Sequence, residues 1–352
     1  MEICFFNENL GNKNPVIQAS FGGMYKSFWD ALEKLNVKIT FRDSPENLSG
    51  DILVVPLGGN QERGSSKAMS KFKGPVIAYV PPAYSWFYAS FLKRWKHKII
   101  FTYGTDASDL SKNKYQSLGI PYYHFPFASD ESIFRPLNLP KLYDIVFVGN
   151  YNTGVGRFKY IKQIIETAEV KNREVLLIGN GWEKFGHPNQ IIAHGKLLNY
   201  IYNSAKICLN IHNDIQYKGL QYQMDANNRV FDLAMAGCFQ LNNAKDLIHL
   251  YFNPDEIIAD DNPSNLVGLI DYYLTNEIER EKFSENARKK ALIEHTWHNR
   301  ANAFINMINE NVPNYSITPQ NPLQKLGLLR DQYLHPSYQL KQIKLYKSIF
   351  SN

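Results

Sequence analysis

Cysteine is scarce: the 352 residues hold three, Cys4, Cys208 and Cys238. They are too widely spaced for a disulfide framework or a zinc-ligand set, which fits a reducing compartment. Long apolar runs are also missing, and none approaches the roughly eighteen residues that a membrane-spanning helix requires. The opening Met-Glu-Ile-Cys-Phe-Phe-Asn-Glu has neither a basic start nor an apolar stretch ending in small residues, so no secretory signal is expected and the cytoplasm is the default. Charge of one sign is not abundant either. A net +6 with pI near 8.9 is mild for this length. It suits phosphorylated ligands, an anionic lipid surface or nucleic acid, with nucleic acid the least expected partner. The basic residues concentrate in two places. Lys93, Arg94, Lys96 and Lys98 lie beside Trp86, Phe87, Phe91 and Trp95, and residues 312–352 carry Lys325, Arg330, Lys341, Lys344 and Lys347. Each is read as a solvated face or as a peripheral contact with an anionic acceptor or membrane surface.

What is present is ample core material, 44% hydrophobic and 14% aromatic, in a length that usually makes two domains. Short apolar runs bounded by Gly, Pro or charge alternate with helical periodicity. Glu2 to Asn7 and Val37 to Arg42 read as strands, and the apolar runs of Asp51 to Pro56, Pro75 to Val80 and Lys98 to Thr102 as strands buried on both faces, of a first α/β domain, residues 1–137. After the Pro-containing joint Asn138-Leu-Pro-Lys-Leu-Tyr143 the pattern restarts as Asp144-Ile-Val-Phe-Val-Gly-Asn150, and a second α/β domain, residues 138–311, follows. A tail covers 312–352. In the second domain the strand ends carry Gly149-Asn150, Gly179-Asn180, His194-Gly195 and His212-Asn213. Open parallel sheets bind ligands at this edge.

The stretch Asn227-Asn-Arg-Val-Phe-Asp-Leu-Ala-Met-Ala-Gly-Cys-Phe-Gln-Leu241 organises that domain. Asn228 and Arg229 stand at an expected helix N-terminus, where free N–H groups and the helix dipole favour an anion, and Asp232 lies one turn in. Gly237 is expected to stop the helix before a strand at Phe239 to Leu241. Arg229 could also be only an i,i+3 ion-pair partner of Asp232, a contact of about 0.2–0.5 kcal/mol.

In Phe147-Val-Gly-Asn150 with Arg157, Leu209-Asn-Ile-His212, the 228–241 stretch, Asp255-Glu-Ile257 and Glu294-His-Thr-Trp-His-Asn-Arg300, the chain resembles the second domain of nucleotide-sugar glycosyltransferases of the GT-B fold, especially the CgeB-like (spore maturation protein) group. Phe125-Pro-Phe-Ala-Ser-Asp-Glu-Ser-Ile-Phe-Arg-Pro136 is similar to the segment leading into their interdomain linker. The resemblance implies an α/β protein with two Rossmann-like domains whose parallel sheets face a cleft, and a C-terminal helix crossing back, a role suited to residues 340–349. It implies that the second domain holds a UDP- or GDP-sugar and the first a glycan or other acceptor. Arg157 and Arg229 would neutralise the diphosphate, His194 and Gly195 would lie near the base, and Asp232 would bind the ribose. Gly149, Asn150, Asn180, His212 and Asn228 complete the donor set. Asp232 stands where such enzymes usually have Glu, and Met224 stands where retaining relatives carry a second one. The chain has no Asp-x-Asp motif, in keeping with a site needing neither metal nor cofactor.

For the acceptor proton the candidate bases are Asp106, His124 and Asp130, near expected strand ends or loops. Gly22 and Gly23 could admit an acceptor or the donor phosphates to the backbone, or only make a turn. His212 suits a satisfied strand-end histidine as well as a catalytic one. His295 and His298 flank Trp297 and favour packing or capping over metal binding, since no third ligand is evident. Two other readings remain: a nucleotide-sugar epimerase on the same fold, and an inactive GT-B protein kept for binding.

Overall fold

The computed structural model describes residues 1–8, 24–57, 62–80, 85–151, 156–187, 195–212, 214–217, 220–223 and 225–312. Gly22, Gly23, His194, Asn213, Met224 and the tail from residue 313, with the helix expected at 340–349, lie outside these.

The chain forms two compact units. Among the described residues, the first contains Met1–Pro126 and 298–312, and the second Phe127–Trp297. In the first, β1 (Glu2–Phe6), α1 (Met24–Lys34), β2 (Lys38–Arg42), β3 (Ile52–Pro56), α2 (Glu62–Lys71), β4 (Val76–Val80), α3 (Ser85–Leu92), β5 (Ile99–Gly104), α4 (Asp109–Ser117) and β6 (Tyr122–His124) follow in order. The strands pair in the order β2-β1-β3-β4-β5-β6, every neighbour parallel. β1, β3, β4 and β5 are buried along almost their whole length, as strands covered on both faces must be.

The second unit has β7 (Tyr143–Val148), α5 (Arg157–Val170), β8 (Val175–Ile178), α6 (Gly195–Asn203), β9 (Ala205–Asn210), the hairpin β10 (Asp214–Tyr217) and β11 (Leu220–Gln223), α7 (Asn228–Met235), β12 (Gln240–Asn242), α8 (Lys245–Ile248), β13 (Ile258–Ala259), α9 (Pro263–Thr275) and α10 (Glu277–Glu294). Its main sheet runs β13-β12-β9-β7-β8, all parallel. Alternation along the strands splits the apolar residues between two cores: Val146 and Cys208 join the cluster around α7, while Ile145, Phe147, Ile207 and Leu209 join Ile161, Ile164 and Ile165 of α5. α7 ends where Gly237 adopts φ 66°. There the Gly237 N–H donates to Ala234 O and the Cys238 N–H to Leu233 O, both at 3.0 Å, which closes a Schellman motif and releases the chain into β12.

The division falls at Phe127 and His298, not at 138 and 312. Phe134 is buried in the α7 core. The N–H groups of Arg135 and Leu137 donate to the side-chain oxygens of Asn199 and Asn203 on α6, at 3.2 and 2.8 Å. At the other end, α11 (Trp297–Asn311) gives the first unit most of its length. The reason is aromatic packing: the fully buried Phe304 ring meets Phe28, Phe101, Tyr103 and Phe125 at centroid distances of 5.1–6.1 Å, edge to face. Phe304→Ala is expected to cost about 3–5 kcal/mol. A lowered urea midpoint for the first unit's transition checks this.

The basic aromatic stretch of the first unit does not form one outward face. Phe91 and Trp95 are core residues, and the Lys98 ammonium turns inward, donating to Met69 O at 2.7 Å and Phe72 O at 2.6 Å. No described helix is long and apolar enough to cross a membrane. All three cysteines are buried thiols.

Candidate functional site

The sequence-expected residues of the second unit gather where β7, β8, β9 and β12 end and α5 and α7 begin. Gly149 follows β7, and its N–H donates to Ile178 O of β8 at 2.7 Å. A Cβ at Gly149 would stand 2.8 Å from Arg229 Nη1 and 3.1 Å from Arg157 Nη1. The missing side chain is what lets both guanidiniums close on the strand end. Both also lie over the Phe147 ring, each 5.5 Å from its centroid.

Arg157, the first residue of α5, is 8% exposed. Its Nε donates to Ile211 O at 3.0 Å and its Nη1 to Asn150 O at 3.4 Å. Burial, and then the neighbouring Arg229 charge, pull its pKa down to about 9, so it remains a cation at neutral pH. Burial also lowers Arg229, against the pull of Tyr202 and Asp232. No described carboxylate forms an ion pair with either guanidinium. Two adjacent cations with no ion-pair contact among the described residues, Asp232 acting on Arg229 without touching it, form an arrangement completed by an anion.

The start of α7 adds donors. Asn227 has the extended backbone of an N-cap, but its side chain makes no capping bond; its amide donates to Asn210 Oδ1 at 3.0 Å instead. The first N–H groups of the helix therefore point out unsatisfied by the cap. Asn210 in turn donates to Asn242 Oδ1 at 2.8 Å, and Asn243 Oδ1 accepts the His212 N–H at 2.6 Å. This amide network at the ends of β9 and β12 fixes the loop entering α7. Sequence reading missed it, although asparagines at 210, 242 and 243 ending apolar strands were a visible signal. His212 Nε2 accepts the Asn227 N–H at 3.3 Å. Burial, followed by Arg229, drives the His212 pKa down to about 3, so the ring is neutral and serves as a hydrogen-bonding strut.

Asp232 does not pair with Arg229. It is 4% exposed; Oδ1 accepts the Ser129 hydroxyl at 2.7 Å and Oδ2 the Asn228 amide at 3.0 Å. Burial raises its pKa to about 7 against these two hydrogen bonds, and Asp130 pushes it further up. Asn180 and Gly195 sit at the same edge, Asn180 exposed and Gly195 opening α6 with φ 54°.

The base candidates are dispersed. Asp106 is buried beside the α4 N-cap Ser108: Oδ1 accepts the Ser108 N–H at 2.9 Å and Oδ2 the Ser111 hydroxyl. His124 ends β6, half-buried, in the first unit. Asp130 lies in the second, where Oδ1 accepts the Ser132 N–H at 2.9 Å and the Ser132 hydroxyl at 2.6 Å. His295 is a packing residue, set among Phe231, Tyr251 and Phe252 with Nε2 3.2 Å from Tyr251 O. No three metal-ligating side chains converge among the described residues.

Two parallel-sheet Rossmann-like units with this edge define the GT-B architecture. Residues 157–306 match the family model described as glycosyl transferase-like. No curated protein matches the chain in sequence. Among solved structures the chain is similar to sucrose-phosphate synthase from Thermosynechococcus elongatus, at 10% identity over 89% of this chain and 100% of that one, TM-score 0.60. It is similar to T4 phage BGT in complex with its UDP-glucose substrate, at 13% identity over 88% and 100%, TM-score 0.58. A third is Anabaena Alr3699/HepE in complex with UDP and glucose, at 9% identity over 88% and 100%, TM-score 0.59. At these identities the likeness establishes the fold.

Proposed function

We propose that this chain is a glycosyltransferase that moves a sugar, of hexosyl type, from a UDP- or GDP-sugar to a glycan or other acceptor in cell-surface glycan biosynthesis, working in the cytoplasm and belonging with the CgeB-like group. The observation that carries the reading is the pair Arg157 and Arg229, closed on Gly149 without an ion-pair partner among the described residues, at the ligand-binding edge of a GT-B unit. Departure of a nucleoside diphosphate concentrates negative charge on its phosphate oxygens. Two fixed guanidiniums and the open N-terminus of α7 stabilise that charge where it develops, the task a metal ion would otherwise perform. Ser129, Asn228 and Asp232 form a hydrogen-bonded cluster for the ribose hydroxyls. Asp106, His124 and Asp130 are the candidate bases for the acceptor.

Incubation with UDP- and GDP-hexoses and a panel of glycan acceptors tests the reaction. The expected result is nucleoside diphosphate released in step with sugar transferred, at an unchanged rate in EDTA. Donor isomerisation without an acceptor would make the protein an epimerase, and tight donor binding without turnover would make it a binding protein; either contradicts the proposal.

A further inference from the structure

Beside the arginine pair, at the ends of β7 and β8, four aromatic side chains cluster. Tyr151 meets Phe158 at 5.1 Å, Trp182 at 5.3 Å and Phe185 at 5.6 Å between ring centroids. Trp182 is the buried support: its indole N–H donates to Gly149 O at 2.6 Å and its ring stands edge-on to Phe147, the ring under both guanidiniums. Tyr151, Phe158 and Phe185 are only half-buried, an apolar shelf beside a cationic grip.

The shelf is tied rigidly to the grip. Tyr151 N–H donates to Asn180 O at 2.8 Å, and Asn150 Oδ1 accepts the Asn180 N–H at 3.0 Å. The carbonyl one residue before Tyr151 is the one that Arg157 Nη1 holds. Gly181, at φ 90°, passes so close that a Cβ would come within 2.9 Å of Tyr151 Cβ, so the backbone itself forms one side of the shelf. The Asn180 amide is exposed at its rim.

We infer that the half-exposed face of Tyr151, backed by Phe185, is the stacking surface for the nucleobase of the nucleotide whose diphosphate Arg157 and Arg229 take, and that the Asn180 amide reads the base edge. The inference rests on the nucleotide-sugar reading of the same edge. A flat, π-faced ring joined to a diphosphate is the chemistry that an aromatic shelf next to paired cations fits, and an amide offers both a donor and an acceptor to the base's hydrogen-bonding edge. The family resemblance alone points to His194 and Gly195 for the base, not to Tyr151, Phe158 or Phe185.

Calorimetric titration of the full chain with UDP and, separately, inorganic pyrophosphate tests this on wild type, Tyr151→Phe and Tyr151→Leu. Base–aromatic stacking sets the scale, so Tyr151→Leu is expected to weaken UDP by about tenfold while Tyr151→Phe stays near wild type. Pyrophosphate affinity should be unchanged in both. Leucine keeps apolar bulk at the site, and unchanged pyrophosphate binding reports an intact fold and grip. Asn180→Ala should narrow the preference between UDP and GDP without altering pyrophosphate. UDP affinity in Tyr151→Leu equal to wild type would overturn the stacking assignment, as would equal losses for UDP and pyrophosphate. Failure of wild type to bind either probe would instead overturn the donor-site reading on which it stands.

Discussion

Replacing Arg157 and Arg229 together by methionine is expected to weaken UDP binding by about a thousandfold and leave the protein folded. Hydrogen bonds to charged groups contribute about 1.5–3 kcal/mol each, so two guanidiniums on one diphosphate account for roughly 3–6 kcal/mol. The stability of the free protein should change little, because two opposing effects nearly cancel. Methionine gives up the bonds from Arg157 to Ile211 O and Asn150 O. It also removes two neighbouring cations, one buried and one half-buried, that have no described ion-pair partner. The single variants should each lose less than half of the double variant's binding energy, since removing one cation relieves the repulsion on the other. Titration calorimetry gives the affinities, and thermal melting without ligand reports the fold. A double variant that binds UDP like the wild type would place the diphosphate elsewhere.

Asp232→Asn should stabilise the protein above neutral pH. The carboxyl's pKa is raised from its ordinary 3.8 to about 7 by burial. Between these values the folded state holds a proton that the unfolded state has lost, so stability falls as pH rises through this window. Below 3.8 both states are protonated and nothing is lost; above 7 the full penalty applies, on the order of 2–4 kcal/mol. Asparagine carries no such charge. Its oxygen can accept the Ser129 hydroxyl, and the Asn228 amide can turn to present its own oxygen. The expected outcome is a melting temperature higher by roughly 5–10 °C at pH 8, with the gain shrinking steadily toward pH 4. A gain that does not vary with pH would show that burial does not raise the Asp232 pKa, and a loss at pH 8 that Asp232 is stabilised as a carboxylate; either contradicts the account.

Much of this edge of the second unit was legible because its structure is local. The helix beginning at Asn228, the Gly237 stop and the glycines after β7 and β8 each follow from a few consecutive residues. Arg157 and Arg229 were legible as a pair only through the resemblance to glycosyltransferases; the sequence itself places them far apart. What could not be read depended on tertiary partners. Asp232 faces Ser129, a residue 103 positions away, and no spacing rule points to that contact. Asp106 accepts from Ser108 and Ser111 at the start of α4, contacts that its place near a strand end did not reveal. α11 reads as one more helix of the second domain until Phe304 is seen among the aromatic side chains of the first. Tyr151, Phe158 and Phe185 have the composition of an ordinary core, and only their half-exposure beside the arginines distinguishes them.

The central claim is that the ends of β7 and β9 and the start of α7 hold a nucleoside diphosphate. A crystal structure of the chain soaked with UDP tests it most directly. The account predicts pyrophosphate oxygens within hydrogen-bonding distance of both the Arg157 and Arg229 guanidiniums, over Gly149 and at the α7 N-terminus. Density for UDP at another place, with the two guanidiniums left uncontacted, would contradict it.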